Sequence, residues 1–135
     1  MKILKLLVLA ITSVILLNCS NDDDKSVHAN ELQGEWRLLS VTYPMVNETH
    51  TYADVIRWNF NEDSQTVTVT TSSADEQNPL ESGTYNYTVA PEAGAQVCDE
   101  FLIIESFEAG CIEFSTNRLT LSTAYLDGPI YTLAR

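Results

Sequence analysis

Beyond Leu32 the chain is written in short segments in which apolar and polar residues alternate. Glu35–Tyr43, Asp54–Phe60, Gln65–Thr71, Ser82–Val89, Phe101–Phe107, Cys111–Ser115, Arg118–Thr123 and Ile130–Arg135 are rich in β-branched and aromatic residues. A period of two belongs to a strand with one buried face. In the second segment Ile56, Trp58 and Phe60 take one face, and Arg57 and Asn59 the other. Turn chemistry cuts the segments apart: Asn61–Ser64, Asp75–Pro79, Pro91–Gly94, Glu108–Gly110, Asn117 and Asp127-Gly128-Pro129. Nothing keeps a helical period beyond a turn or two, and His28–Leu32 is the best short candidate. Eight strands joined by hairpin-length links predict an all-β fold, an antiparallel up-and-down eight-stranded β-barrel. A two-sheet sandwich is the alternative.

An even strand count has a consequence. The first and last strands of such a barrel run antiparallel and close the sheet, so the end of the last lies beside the start of the first. That places Arg135 against Trp36, two residues after Gly34. A guanidinium over an indole face makes a cation–π contact of about 0.5–2 kcal/mol.

The first 18 residues are a different kind of sequence. Lys2 and Lys5 precede Leu6–Leu17, a twelve-residue, almost wholly apolar run. A bilayer-spanning helix needs about 20 residues, so this run has the length of an export signal. Leu16-Leu17-Asn18-Cys19 resembles the lipobox of bacterial lipoproteins. That resemblance implies cleavage before Cys19 and acylation of its thiol and new amino group. Two or three acyl chains anchor stably where one binds marginally. Asp22-Asp23-Asp24 follows, and an acidic run there resembles the surface-export signal of Bacteroidota lipoproteins. The expected organisation is a signal peptide at 1–18, a lipidated Cys19 and acidic tether over 19–30, and one domain over 31–135. The expected location is the outer membrane, lipid-anchored and surface-exposed.

Charge narrows the partners. Setting Lys2 and Lys5 aside with the leader, the remaining side chains sum to −14, with five Lys and Arg among them. Such a domain assembles no basic patch for phosphates, which argues against nucleic acid. It would attract cationic partners and repel anionic surfaces.

Leu32-Gln33-Gly34-Glu35-Trp36 places Gly-x-Trp at the start of the first strand, which resembles the lipocalin signature. Ser82-Gly83-Thr84-Tyr85, Asn117–Leu121 and the closing Tyr131–Arg135 are similar to compact lipocalin-like domains of Bacteroidota lipoproteins. The resemblance spans roughly residues 31–135. It implies a barrel whose end is closed by an arginine–tryptophan pair, here Arg135 and Trp36. Eight-stranded barrels are either packed solid or hold one small ligand. Two functions follow. In the first, Ile56, Trp58, Phe60, Tyr85, Tyr87 and Ile103 line a cavity for a small apolar or amphipathic ligand. In the second, the barrel is an acidic protein-interaction module, such as a lysozyme inhibitor or toxin-immunity protein. There Asp99, Glu100, Glu105 and Glu108 would face a cationic protein partner.

Nothing in the sequence points to catalysis, a metal or a cofactor. His28 and His50 have no metal-ligand spacing with a second His or Cys, and no Gly-x-Ser-x-Gly elbow occurs. Cys98 and Cys111 remain once Cys19 carries lipid, and outside the cytoplasm an even pair usually means a disulfide. A straight Phe101–Phe107 strand opposes this. It spans about 20 Å and would hold the two cysteines at opposite ends, whereas bridged Cα atoms lie about 5.5 Å apart. The bond forms only if that strand is broken or the 90–99 loop folds back, and both outcomes stay open.

Overall fold

The structure is a computed structural model that describes residues 29–53, 55–72, 78–91 and 98–135. The leader, Cys19, Asp22–Asp24 and His28 lie outside the described residues. The chain enters through a single turn of helix, α1 (Ala29–Leu32). Among the described residues nine strands follow: β1 (Gly34–Tyr43), β2 (Glu48–Thr51), β3 (Ile56–Asn61), β4 (Thr66–Thr71), β5 (Gly83–Ala90), β6 (Phe101–Ile104), β7 (Phe107–Ser115), β8 (Arg118–Ser122) and β9 (Ile130–Ala134).

Every pairing is antiparallel. The order β1-β3-β4-β5-β6-β7-β8-β9 returns to β1, where Arg37 to Thr42 pair with Ala134 to Ile130. Eight strands therefore form a closed barrel. The ninth, β2, is the one the sequence concealed. It pairs with the second half of β1 (Ser40↔Thr51 to Tyr43↔Glu48), while β3 takes the first half (Gly34↔Phe60 to Arg37↔Arg57). β2 and β3 thus lie along the same side of β1, interrupted at residues 52–55. The sequence Glu-Thr-His-Thr has no apolar face, and three of its four residues are exposed. Alternation therefore gives no sign of it.

The second correction concerns strands five and six. The chain reverses at Glu105-Ser106, not at Glu108–Gly110, and β7 begins at Phe107. Glu105 sits at φ 53°, the left-handed conformation that a tight hairpin needs. Gly110, read as a turn residue, lies inside β7 beside an irregularity in the β6–β7 ladder, at φ +111°. A Cβ there would run into the Ser122 backbone of β8. Gly110 is therefore a bulge glycine, which permits a close approach of two strands. Moving the turn shortens β6 to four residues and brings Cys111 opposite Phe101. Cys98, three residues before Phe101, then bridges Cys111 with a Cα–Cα separation of 5.8 Å.

The core of the described residues is one apolar cluster. Trp36, Leu38, Ile56, Trp58, Phe60, Val67, Leu102, Ile104, Leu119, Leu121 and Leu133 are all buried and pack as one cluster. No charged residue belongs to that cluster. The alternate positions carry the polar residues outward, including Thr68 and Thr84, whose hydroxyls meet at 3.0 Å across β4 and β5.

Replacing Gly110 by Ala tests the bulge. The strained φ and the blocked approach to Ser122 should cost about 1–3 kcal/mol, read as a lower urea midpoint. An unchanged midpoint would show that the bulge accommodates a side chain.

Candidate binding barrel

The two ends of the barrel differ. The lower end is where β1 begins and β9 finishes. Gly34 turns the chain from α1 into β1 at φ +106°, a conformation that disfavours any side chain. Two residues on, Trp36 points inward, and its indole N–H donates to the Leu32 carbonyl at 2.8 Å. Leu32 is itself fully buried. Arg135 lies across this plug, its guanidinium carbon 4.2 Å from the Trp36 ring centroid. The same guanidinium donates to the carbonyls of Glu31 (2.6 Å) and Gln33 (2.8 Å). Phe114 also packs against the indole, with ring centroids 6.0 Å apart and the planes tilted by 45°. One arginine thus joins the last residue of the chain to α1 and to the first strand.

The upper end carries the β1–β2 turn (Pro44–Val46) and the β8–β9 connection (Ala124–Leu126). The register brings these together, because Thr42 and Ser122 both pair with Ile130. Met45, Val46 and Leu126 are 69%, 68% and 62% exposed there, the large apolar side chains most open to solvent among the described residues. Just below them stands an aromatic group that the sequence did not single out. Tyr131 is buried, packs edge-on to Phe107 (5.6 Å) and lies in the field of Tyr43 and Tyr52. Burial, with those two neighbours, pushes the Tyr131 phenol up to about 12. Tyr43 in turn meets the His50 ring edge-on at 6.1 Å, and His50 Nε2 lies 3.1 Å from Glu48. The pattern that could have found the group is the inward phase of the strands, which puts Val41 and Tyr43 on one face of β1 and Tyr131 and Leu133 on one face of β9.

Of the six residues assigned to a cavity, Ile56, Trp58, Phe60 and Tyr87 are buried in the interior cluster. Tyr85 packs against it while half-buried, its hydroxyl donating to the Glu81 carbonyl at 3.0 Å. Ile103 does not belong with them. Leu102 and Ile104 take the inward positions of β6, and Ile103 stands on the outer wall between Thr88 and Glu108. The alternation was read one residue out of phase there, because all four residues of β6 are apolar. The proposed acidic face is also broken up. Glu100 is buried, whereas Asp99, Glu105 and Glu108 are exposed at different heights of the wall.

Among the described residues three buried side-chain atoms are unsatisfied, on Asn78 and, within the apolar cluster, on Trp58 and Tyr87. Trp58 is 0% exposed and Tyr87 4% exposed, and neither the Trp58 indole N–H nor the Tyr87 hydroxyl has a hydrogen-bond partner. Leaving such a group buried and unpaired costs about 1–3 kcal/mol. Both rings pack on Phe60, at 6.4 Å for Trp58 and 5.3 Å for Tyr87. Burial first, and Glu62 second, raises the Tyr87 phenol above its ordinary value. Among the described residues no three His, Cys, Asp or Glu stand together as metal ligands. No family model, no curated protein and no solved structure matches the chain.

Two outcomes follow from these ends. Arg135→Ala should lower stability by about 1–2 kcal/mol through the lost cation–π contact and two hydrogen bonds, read in a denaturant melt. A neutral substitution would mean that Leu32 and Trp36 seal the end unaided. At the upper end, Tyr131 ionises near pH 10 when unfolded and near 12 when folded. The unfolded chain therefore loses its proton first, and stability should fall as pH rises from about 10 to about 12. Tyr131→Phe should flatten that fall.

Proposed function

We propose that this protein is a bacterial lipoprotein, anchored at Cys19 to the outer membrane and exposed on the cell surface, whose lipocalin-like barrel binds a small apolar or amphipathic ligand. The observation that carries the binding reading is the asymmetry of the barrel. One end is plugged by Leu32, Trp36 and Arg135, and the other presents Met45, Val46 and Leu126 to solvent above a group of tyrosines. Exposed apolar side chains cost solubility, and grouped at a rim they mark a surface that meets something apolar. The apolar cluster beneath is the environment such a ligand requires. The anchoring reading rests on the sequence, on the Leu6–Leu17 run and Leu16–Cys19. The acidic protein-interaction alternative gains nothing from Glu100, which is buried.

Two measurements test this reading. Cys19→Ala should abolish incorporation of labelled fatty acid and release the protein from the membrane fraction; label retained on the variant would place the anchor elsewhere. The domain should also bind the neutral apolar fluorophore N-phenyl-1-naphthylamine saturably, and Leu126→Asp should weaken that binding. A probe that never saturates would indicate a filled barrel.

A further inference from the structure

The interior says more about its ligand than that it is apolar. We propose that the barrel takes an uncharged ligand bearing oxygen, an ester, ketone or alcohol on an apolar body, whose oxygens accept hydrogen bonds from the Trp58 indole N–H and the Tyr87 hydroxyl. This rests on the reading of the barrel as a binding site.

Buried polar groups in folded proteins are nearly always paired, and an orphan calls for an explanation. Here two orphans flank one ring, Phe60, on the same inner wall formed by β3, β4 and β5. An indole N–H can only donate. An ammonium also only donates, so a cationic group leaves Trp58 unanswered. An anion would accept from both, but among the described residues no Lys, Arg or His is buried to balance it, and Glu100 is the buried charged side chain. An anion would also approach the field of Glu62, which acts on Tyr87. A desolvated and unpaired charge is far costlier to bury than an oxygen dipole. A pure hydrocarbon fits the apolar wall and leaves both donors unsatisfied. A neutral oxygen acceptor is the group that answers both donors without importing a charge.

Tyr87→Phe is the informative variant, since it removes the hydroxyl and keeps the ring against Phe60. Trp58→Ala would instead empty one of the largest buried positions. The assay is displacement of N-phenyl-1-naphthylamine from the wild-type domain and from Tyr87→Phe. The probes have matched length: 2-undecanone, undecane, decanoate and decylammonium. The ketone should displace the fluorophore at about tenfold lower concentration than undecane, and both ions should do no better than undecane. In Tyr87→Phe the ketone should lose about five- to tenfold, as expected for one hydrogen bond, with undecane and the fluorophore unaffected. Equal displacement by ketone and alkane, or equal weakening of both in the variant, overturns the oxygen-acceptor assignment and leaves the apolar barrel standing. Stronger displacement by decanoate or decylammonium overturns the exclusion of charge. Failure of the fluorophore to bind the wild-type domain overturns the binding reading itself and this assignment with it.

Discussion

The contact on which the rest of this molecule depends joins the two ends of its domain. Arg135 reaches back over more than a hundred residues to the carbonyls of Glu31 and Gln33, and its guanidinium carbon sits over the Trp36 ring. Around it β9 pairs with β1, and the ring has no free edge where those two strands meet. Closure removes the liability of open strand edges, which otherwise invite pairing with other chains. It also fixes which side of each strand faces inward, since a shift of one residue would turn every apolar side chain to solvent. Trp36 sets that phase at the start of β1. Trp58 opposite it, then Val69 and Gly83 across the neighbouring strands, follow in register.

β1 carries an unusual share of this arrangement. It is ten residues long and has β9 along one side and both β2 and β3 along the other. Its register with β9 slips between Leu38 and Ser40, and the slip bends the strand so that Leu38 and Val41 both face the core. The opposite wall is secured differently. β6 has only four residues, too few to hold the sheet firmly, and the Cys98–Cys111 bridge ties the segment leading into it to β7. A cross-link of that separation stabilises chiefly by constraining the unfolded chain. The barrel is therefore held by an electrostatic clasp at one seam and a covalent one at another.

How much of this was legible depended on whether a strand carried contrast between its faces. β3, with Ile56, Trp58 and Phe60 against Arg57 and Asn59, declared both its existence and its orientation. Gly34 and Trp36 announced the first strand and its plug, and the even strand count placed Arg135. β2 was silent because Glu48–Thr51 is polar on both faces and lies along a neighbour outside the main ring. β6 failed for the opposite reason. Phe-Leu-Ile-Ile has no polar partner to set its phase, so its turn slid to the nearest glycine and Ile103 was assigned inward. Gly110 misled because a glycine at a bulge and a glycine in a turn satisfy the same backbone requirement. The unsatisfied donors on Trp58 and Tyr87 had no sequence signal at all. A tryptophan in a strand says that it will be buried, but whether its N–H finds a partner depends on the opposite wall.

The geometry also bears on where a ligand would enter. The chain joins the barrel at α1, at the plugged end, so a lipid on Cys19 would hold that end toward the membrane. The described residues begin ten positions after Cys19, a span of roughly 30 Å even when fully extended. β1 alone rises about 30 Å from Gly34 to Tyr43 at full extension, so the tether would have to run the length of the barrel to bring the far rim to the lipid. The net charge opposes that inversion as well, because an acidic domain gains nothing by lying against anionic headgroups. The rim formed by Met45, Val46 and Leu126 would then face away from the bilayer. A ligand drawn from the anchoring membrane would meet Arg135 and Trp36 first, whereas one from the surroundings would meet the apolar rim. Were Cys19 the anchor and the barrel a binding site, the polarity of the barrel would favour collection from the surroundings over extraction from the anchoring membrane.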